Sequence, residues 1–350
     1  MIKKIKINYI FIIVAFCFSF ASEGNAQKTD TIYHVNGNVL TGDFKKLNYG
    51  IVKWSMSGMG TITYEVPEIS NIKSNKQFEV KLKNGLLYFG SFDTTGVERK
   101  VKLITANGSQ LLNIDDIVEV YPIKKSFWLR TTGDFSLGFN FSKGSDVATL
   151  VSSGSLIYRK RKSSLQVSWN NNNTFQADTL SATNISFGIG MQRIIKNYWS
   201  AGIVIGAGQN SQLGYKLRMD YTVLGIRDIV YNRWNRYFVA AGLSLQQETP
   251  YDDLGKNTDL AGIVTTVWKV YKYTEPKVWV DADLSFIPYI TGDWRYRVNF
   301  NLNPKVGIVG NDLQIGFNFY YNYDSRPPSE SDSPPTYDWG INLEITYNLH

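Results

Sequence analysis

From about residue 126 onward the chain is written in segments of about ten residues in which apolar and polar side chains alternate. Alternation with period two puts successive side chains on opposite faces of a strand, so each segment is a β-strand with one apolar face. The clearest runs are Phe135, Leu137, Phe139, Phe141, then Leu165, Val167, Trp169, then Ile185, Phe187, Ile189, Met191, then Tyr215, Leu217, Met219, Tyr221, Val223. Residues 278–286, 294–302, 313–321 and 341–349 continue the pattern, and weaker runs lie near 147–159, 199–209, 236–247 and 259–271. That makes twelve segments.

A soluble β-sandwich also alternates, so the decision rests on the other phase. Here it is polar: Asp134, Ser136 and Asn140; Lys216, Arg218 and Asp220; Asp281 and Asp283; Arg295, Arg297, Asn299 and Asn301. An apolar exterior around a polar lumen is the arrangement of a transmembrane barrel. Eight of the nine tryptophans fall in this region, mostly near strand ends, where interfacial girdles belong: Trp128, Trp169, Trp199, Trp234, Trp268, Trp279, Trp294 and Trp339. The connections alternate as well. Those at 159–162, 194–197, 232–236, 272–277 and 310–312 are short and often basic. Those at 170–178, 247–259 and 324–338 are longer and polar, with 143–146 and 208–212 as short members of that set. Short periplasmic turns against longer external loops follow the barrel rule, and an even strand count returns the C-terminus to the periplasmic side.

Residues 1–26 read as a secretory signal: Lys3, Lys4 and Lys6, an apolar stretch from Ile10 to Phe20, then Gly24-Asn25-Ala26 as a small-residue cleavage site. Phe16 before Cys17 argues against lipidation. Cleavage removes the only cysteine, so no disulfide is expected. With only His34 and His350 left, zinc sites of the Cys/His kind and a Ser-His-Asp triad lack their ligands and base. No phosphate-binding loop motif is present. Basic residues are scattered, so the net charge of +7 does not point to nucleic acid. The expectation is no enzyme, no catalytic residue, no metal and no cofactor.

Residues 27–125 hold an internal repeat. "NGNVLTGDF" from Asn36 and "NGLLYFGSF" from Asn84 both read N-G-x4-G-x-F at an offset of 48. The same offset carries Gly60 onto Gly108, Val66 onto Ile114, Ile69 onto Ile117 and Ile72 onto Val120. Each Asn-Gly between alternating runs signals a tight hairpin. Gly42 and Gly90 suit a bulge or sharp bend. The reading is two small SH3-like β-modules, packed together or in series. They form a folded base for the barrel, or they bind peptidoglycan or a periplasmic protein.

The export signal, the "DTIYHVNGNVLTGDF" opening, "MSGMGTITYEVPEI" at 56–69 and the twelve-stranded barrel together resemble the YdiY-like family of salt-induced outer-membrane proteins, whose function is unknown. The resemblance implies an outer-membrane location with a link to envelope stress, and brings no catalytic residues. The last strand, "DWGINLEITYNLH", resembles a signal read by the barrel assembly machinery, ending on Leu349-His350 in place of the usual Phe or Trp. The full expectation is an all-β chain in outer-membrane lipid: signal 1–26, periplasmic modules 27–125, antiparallel barrel 126–350.

Its lumen would be lined by Asp281, Asp283, Arg295, Arg297, Lys216, Arg218 and Asp220. A hairpin centred near residue 290 would set Asp283 opposite Arg297, either as a selective constriction or as structural ion pairs filling a closed interior. A passive channel for small solutes or ions leads the readings. Surface or cell-wall binding is the alternative, through the modules or through the acidic loop at 247–259 with Glu248, Asp252, Asp253 and Asp259. That loop is either a calcium site or solvated charge. An outer-membrane hydrolase ranks last.

Overall fold

The computed structural model describes residues 30–349, except 124–126, 128–129, 143–145, 177–178, 252–254, 273–275, 292–293, 310–312 and 328–335. The signal segment with Cys17, Trp128, and Asp252 and Asp253 of the acidic loop lie outside the described residues.

The N-terminal unit has nine strands: β1 (Asp30–His34), β2 (Val39–Asn48), β3 (Ile51–Met56), β4 (Gly60–Glu65), β5 (Ile69–Leu82), β6 (Leu87–Asp93), β7 (Lys100–Thr105), β8 (Gly108–Asn113) and β9 (Ile117–Pro122). They run in the order β4-β3-β2-β1-β5-β6-β7-β8, with β9 pairing to β2 and β5. The repeat offset of 48 is structural: it carries β2, β3 and β4 onto β6, β7 and β8, and the 3-10 turn Val66–Glu68 onto Ile114–Asp116. Four apolar pairs matched by the offset are buried on both sides: Phe44 with Phe92, Val66 with Ile114, Ile69 with Ile117 and Ile72 with Val120. All of these side chains belong to one hydrophobic cluster, because β5 is long enough to pair with β1, β6 and β9 and so serves both copies. The repeated glycines allow strands to approach closely. A Cβ on Gly42 would lie 2.3 Å from the Trp54 ring nitrogen, and one on Gly90 2.3 Å from the Ile104 carbonyl oxygen.

The remaining strands are β10 (Thr131–Ser142), β11 (Val147–Lys160), β12 (Ser163–Gln176), β13 (Thr179–Lys196), β14 (Trp199–Asn210), β15 (Tyr215–Tyr231), β16 (Asn235–Pro250), β17 (Asn257–Lys272), β18 (Val278–Pro288), β19 (Tyr296–Val309), β20 (Leu313–Asp324) and β21 (Tyr337–Leu349). Each pairs antiparallel with the next, and β21 returns to β10, closing a twelve-stranded barrel. Leu137, Phe139, Phe187, Val223, Leu243, Phe317 and Leu343 are exposed on its outer face. Ser136, Thr222, Ser244, Asn318 and Thr346 are buried inside. That distribution is the reverse of a soluble core. Trp199 and Trp234 stand exposed near the end that meets the N-terminal unit, Trp294 and Trp339 near the far end.

Two expectations need correction. Asn170 to Asn173 belong to β12, paired with both β11 and β13. A backbone ladder needs only neighbouring strands, so it continues where the apolar face has stopped. Tyr215 heads the apolar run in the sequence but is buried, because a register shift between Tyr215 and Leu217 turns it inward.

Candidate functional site

The polar phase of the strands builds a charge network across the far end of the lumen. In the ladder Arg218 of β15 lies directly opposite Glu248 of β16, and Arg297 of β19 opposite Asp324 of β20. Opposite charges at facing positions of neighbouring strands attract. Arg295, just ahead of β19, joins the two pairs. Its Nη1 donates to Glu248 Oε2 at 2.6 Å and its Nε to Asp324 Oδ1 at 2.8 Å. Arg218 Nε donates to Glu248, and Arg218 Nη2 lies 3.6 Å from Asp324 Oδ2. Arg297 Nη2 donates to Gln246 Oε1 at 2.7 Å and stands 3.9 Å from Asp220 Oδ1. Rings complete the layer, Tyr215 lying 3.7 Å from the Arg218 guanidinium carbon and Tyr289 4.6 Å from that of Arg295. Three guanidiniums therefore face three carboxylates, with Glu248 1% and Asp324 0% exposed. Charges so far from water persist only when matched and hydrogen-bonded.

The expected lumen residues divide. Arg218, Asp220, Arg295 and Arg297 come together in this network. Asp281 lies elsewhere, 3.5 Å from Lys269 Nζ. Asp283 sits opposite Asn301 and accepts a 2.9 Å hydrogen bond from its Nδ2, while Arg297 sits opposite Ile287. The expected Asp283–Arg297 pairing is wrong because the hairpin centres on residue 292, two positions beyond the centre near 290 expected from the sequence. Lys216 falls in the Tyr215–Leu217 register shift and is exposed, outside the network. Glu248 and Asp324 were missed as lumen residues, since they lie in the polar stretches 247–259 and 324–338 that read as loops. Glu248 is thereby withdrawn from the acidic loop. Among the described residues no group of three or more His, Cys, Asp and Glu could hold a metal ion.

At the other end the N-terminal unit covers the mouth. Tyr49 stacks on Tyr271 with centroids 3.8 Å apart, and Arg159 lies over the Tyr121 ring at 4.3 Å. Lys81 Nζ is 3.5 Å from Asp228 and sits over the Tyr231 ring at 3.7 Å. Arg233 reaches Asp115 at 3.1 Å, and Tyr198 Oη donates to the Lys83 carbonyl at 2.8 Å. The Asn84-Gly85 hairpin sits so close to the barrel turn that a Cβ on Gly85 would lie 2.9 Å from the Asn197 carbonyl carbon. Burial works against the Glu119 carboxylate, but Arg159, Lys81 and Arg236 outweigh it and hold its pKa below the usual value. Burial pushes Glu79 up, with Arg159 only partly offsetting, and pushes the Lys81 ammonium down despite Glu119. Between this cap and the barrel wall lies a chamber of about 560 Å³.

The family model described as a protein of unknown function, DUF481, matches residues 135–347, well over half of the chain and nearly all of the barrel. The chain belongs to the DUF481 family. Membership agrees with the YdiY-like resemblance in the sequence, and it assigns no activity. No curated protein matches this DUF481 chain. Among solved structures it is similar to the NanC porin at 9% identity and a TM-score of 0.38, over 62% of this chain and 99% of that one. The β domain of the Bordetella autotransporter BrkA is similar at 10% identity and a TM-score of 0.34, over 63% and 97%. The translocator domain of the autotransporter NalP from Neisseria meningitidis is similar at 13% identity and a TM-score of 0.33, over 63% and 87%.

Proposed function

We propose that this DUF481 protein is an outer-membrane β-barrel that rests closed, with its N-terminal unit and C-terminus on the periplasmic side. The observation that carries the closed state is the neutral network of Arg218, Arg295, Arg297, Asp220, Glu248 and Asp324 across the far end. A barrel of few strands is readily filled by its own side chains, and matched charges fill this one where an open channel would need water. The apolar outer face and its two aromatic ends support the membrane location. On this reading the two repeat copies are SH3-like modules fused through β5, and they act as the cap. Lipid and the barrel assembly machinery are the partners that such a location entails. Peptidoglycan or a periplasmic protein is the partner open to the cap's free face. Solute passage would then be gated rather than passive.

The test is planar-bilayer recording of the full chain beside an Arg295→Glu, Arg297→Glu variant. The wild type should insert and stay silent, while the variant, with two cations turned to anions in a buried layer, should show cation-preferring openings. Steady wild-type conductance would refute the closed state. Recovery of the protein in the soluble periplasmic fraction would refute the location.

A further inference from the structure

We infer that the chamber between the N-terminal unit and the barrel is a binding site for a small polyanion, one carrying two or more phosphate or carboxylate charges. This goes beyond the closed-barrel reading and rests on the chamber's own lining. Nine lysine and arginine side chains line it against four carboxylates, Glu79, Glu119, Asp134 and Asp281. Asp228 and Glu344 lie outside the lining, Asp228 meeting Lys81 at 3.5 Å and Arg236 at 2.9 Å and Glu344 acting on Lys305, and counting both still leaves three positive charges in excess. The far-end network is balanced, so the excess is a property of this chamber and not of the lumen at large. Like charges gathered in a space of low dielectric repel, and a bound anion relieves that repulsion.

Geometry adds to charge. A volume of about 560 Å³ falls in the range of small-molecule sites. Arg159 is held by its packing on Tyr121, and its buried Nε has no hydrogen-bond partner among the described residues. A planar guanidinium fixed in this way suits phosphate or carboxylate oxygens. Lys305 approaches from another strand of the wall. Lys160 and Lys162 line the chamber and are also exposed, which marks the way in at the β11–β12 turn beneath the cap. An anion drawn to that turn would pass from solvated lysines to the desolvated Arg159.

Calorimetric titration of the full chain in detergent micelles tests this, with inorganic pyrophosphate and citrate as probes and glucose as the uncharged control, at low salt of about 50 mM so that screening stays weak. At least one anion should bind at one site per chain, with no heat from glucose. Arg159→Gln and Lys305→Gln should each weaken binding by about tenfold or more. Lys102→Gln, an exposed change on β7 away from the chamber, should leave it unchanged. Binding of pyrophosphate alone assigns phosphate, and binding of citrate alone assigns carboxylate. Absence of binding by both anions overturns the proposal, and so does equal weakening by Lys102→Gln. Should Arg159→Gln fail to fold, Lys305→Gln decides the matter. Bilayer silence or conductance is read separately, so failure here is distinguishable from failure of the closed-barrel reading.

Discussion

Glu248 is the side chain on which the far-end layer turns. It accepts from Arg218 and Arg295, lies 3.7 Å from Arg297 Nη1, and receives the Tyr289 hydroxyl at 3.4 Å. Glu248→Gln keeps the shape and removes the charge, leaving three buried guanidiniums with two carboxylates. Breaking a buried network on one side typically costs about 3–5 kcal/mol. Urea unfolding of the purified barrel in detergent should show that loss as a lowered midpoint. An unchanged midpoint would mean that the layer does not hold the barrel together. The cationic half of this layer was legible in the sequence, because Arg218, Arg295 and Arg297 sit in the polar phase of plainly alternating strands. The acidic half was not. Glu248 and Asp324 lie where the apolar phase has ended but the ladder has not, and only the backbone shows that the strand continues.

Strands were legible to the extent that their two faces differ in polarity. All twelve barrel strands could be counted because an apolar outer face and a polar inner face impose alternation; where polar side chains occupy both faces, as at Asn170 to Asn173, the pattern vanishes and the boundary with it. The same rule gives a strand-level test on β21. Leu343→Arg puts a charge on the outer face and should destabilise by about 2–4 kcal/mol if that position lies at the bilayer midplane, measurable as a lower melting temperature in lipid vesicles. The contact of β5 and β9 with β11 and β15 should respond to pH in two opposite senses. Glu79 has a raised pKa, so protonating it as the pH falls from neutral strengthens the contact. Glu119 has a lowered one, so its contribution is complete above the ordinary value of 4.5 and lost as the pH falls through the lowered value. Lys81, also lowered, favours the contact only as the pH rises through its own value toward 10.5. Between pH 3 and 7, the cap should sit most firmly in mild acid and loosen in strong acid. Hydrogen exchange of β9 amides at pH 3, 5 and 7, corrected for intrinsic rates, checks this, and steady loosening from pH 7 to 5 would contradict it.

At the scale of the molecule, the cap owns its core. Every buried member of the large cluster, from Ile32 to Val120, comes from β1 to β9 or the two 3-10 turns between them. Residues 27–125 expressed alone should therefore give a dispersed NMR spectrum and a cooperative melt; collapse of the spectrum would mean that the barrel is required for the cap to fold. The repeat made the cap's two copies visible in the sequence. Their fusion through β5 was not visible, since nothing in the repeat itself says which strand is shared. Nor could the chamber be read, because its walls come from parts of the chain as far apart as Lys46 and Gln314, which no local pattern connects.

The seam between β10 and β21 has a consequence for how the molecule is made. Those strands meet over five residue pairs, from Gly133↔Leu349 to Leu137↔Ile345, whereas β10 and β11 share twelve. Ser136 and Thr346 share a 2.6 Å hydroxyl contact there, and a Cβ on Gly138 would come within 2.3 Å of the Leu343 carbonyl oxygen. This is the pairing of greatest sequence separation in the barrel, so its loop-closure entropy is the largest and its zipper the shortest. Hairpins further along the chain can form while this junction is still apart, leaving β10 and β21 as two raw edges until the ring shuts. Closure is thus the slow, vulnerable moment in this protein's biogenesis, and the waiting edges are where another strand could intrude or a folding catalyst take hold.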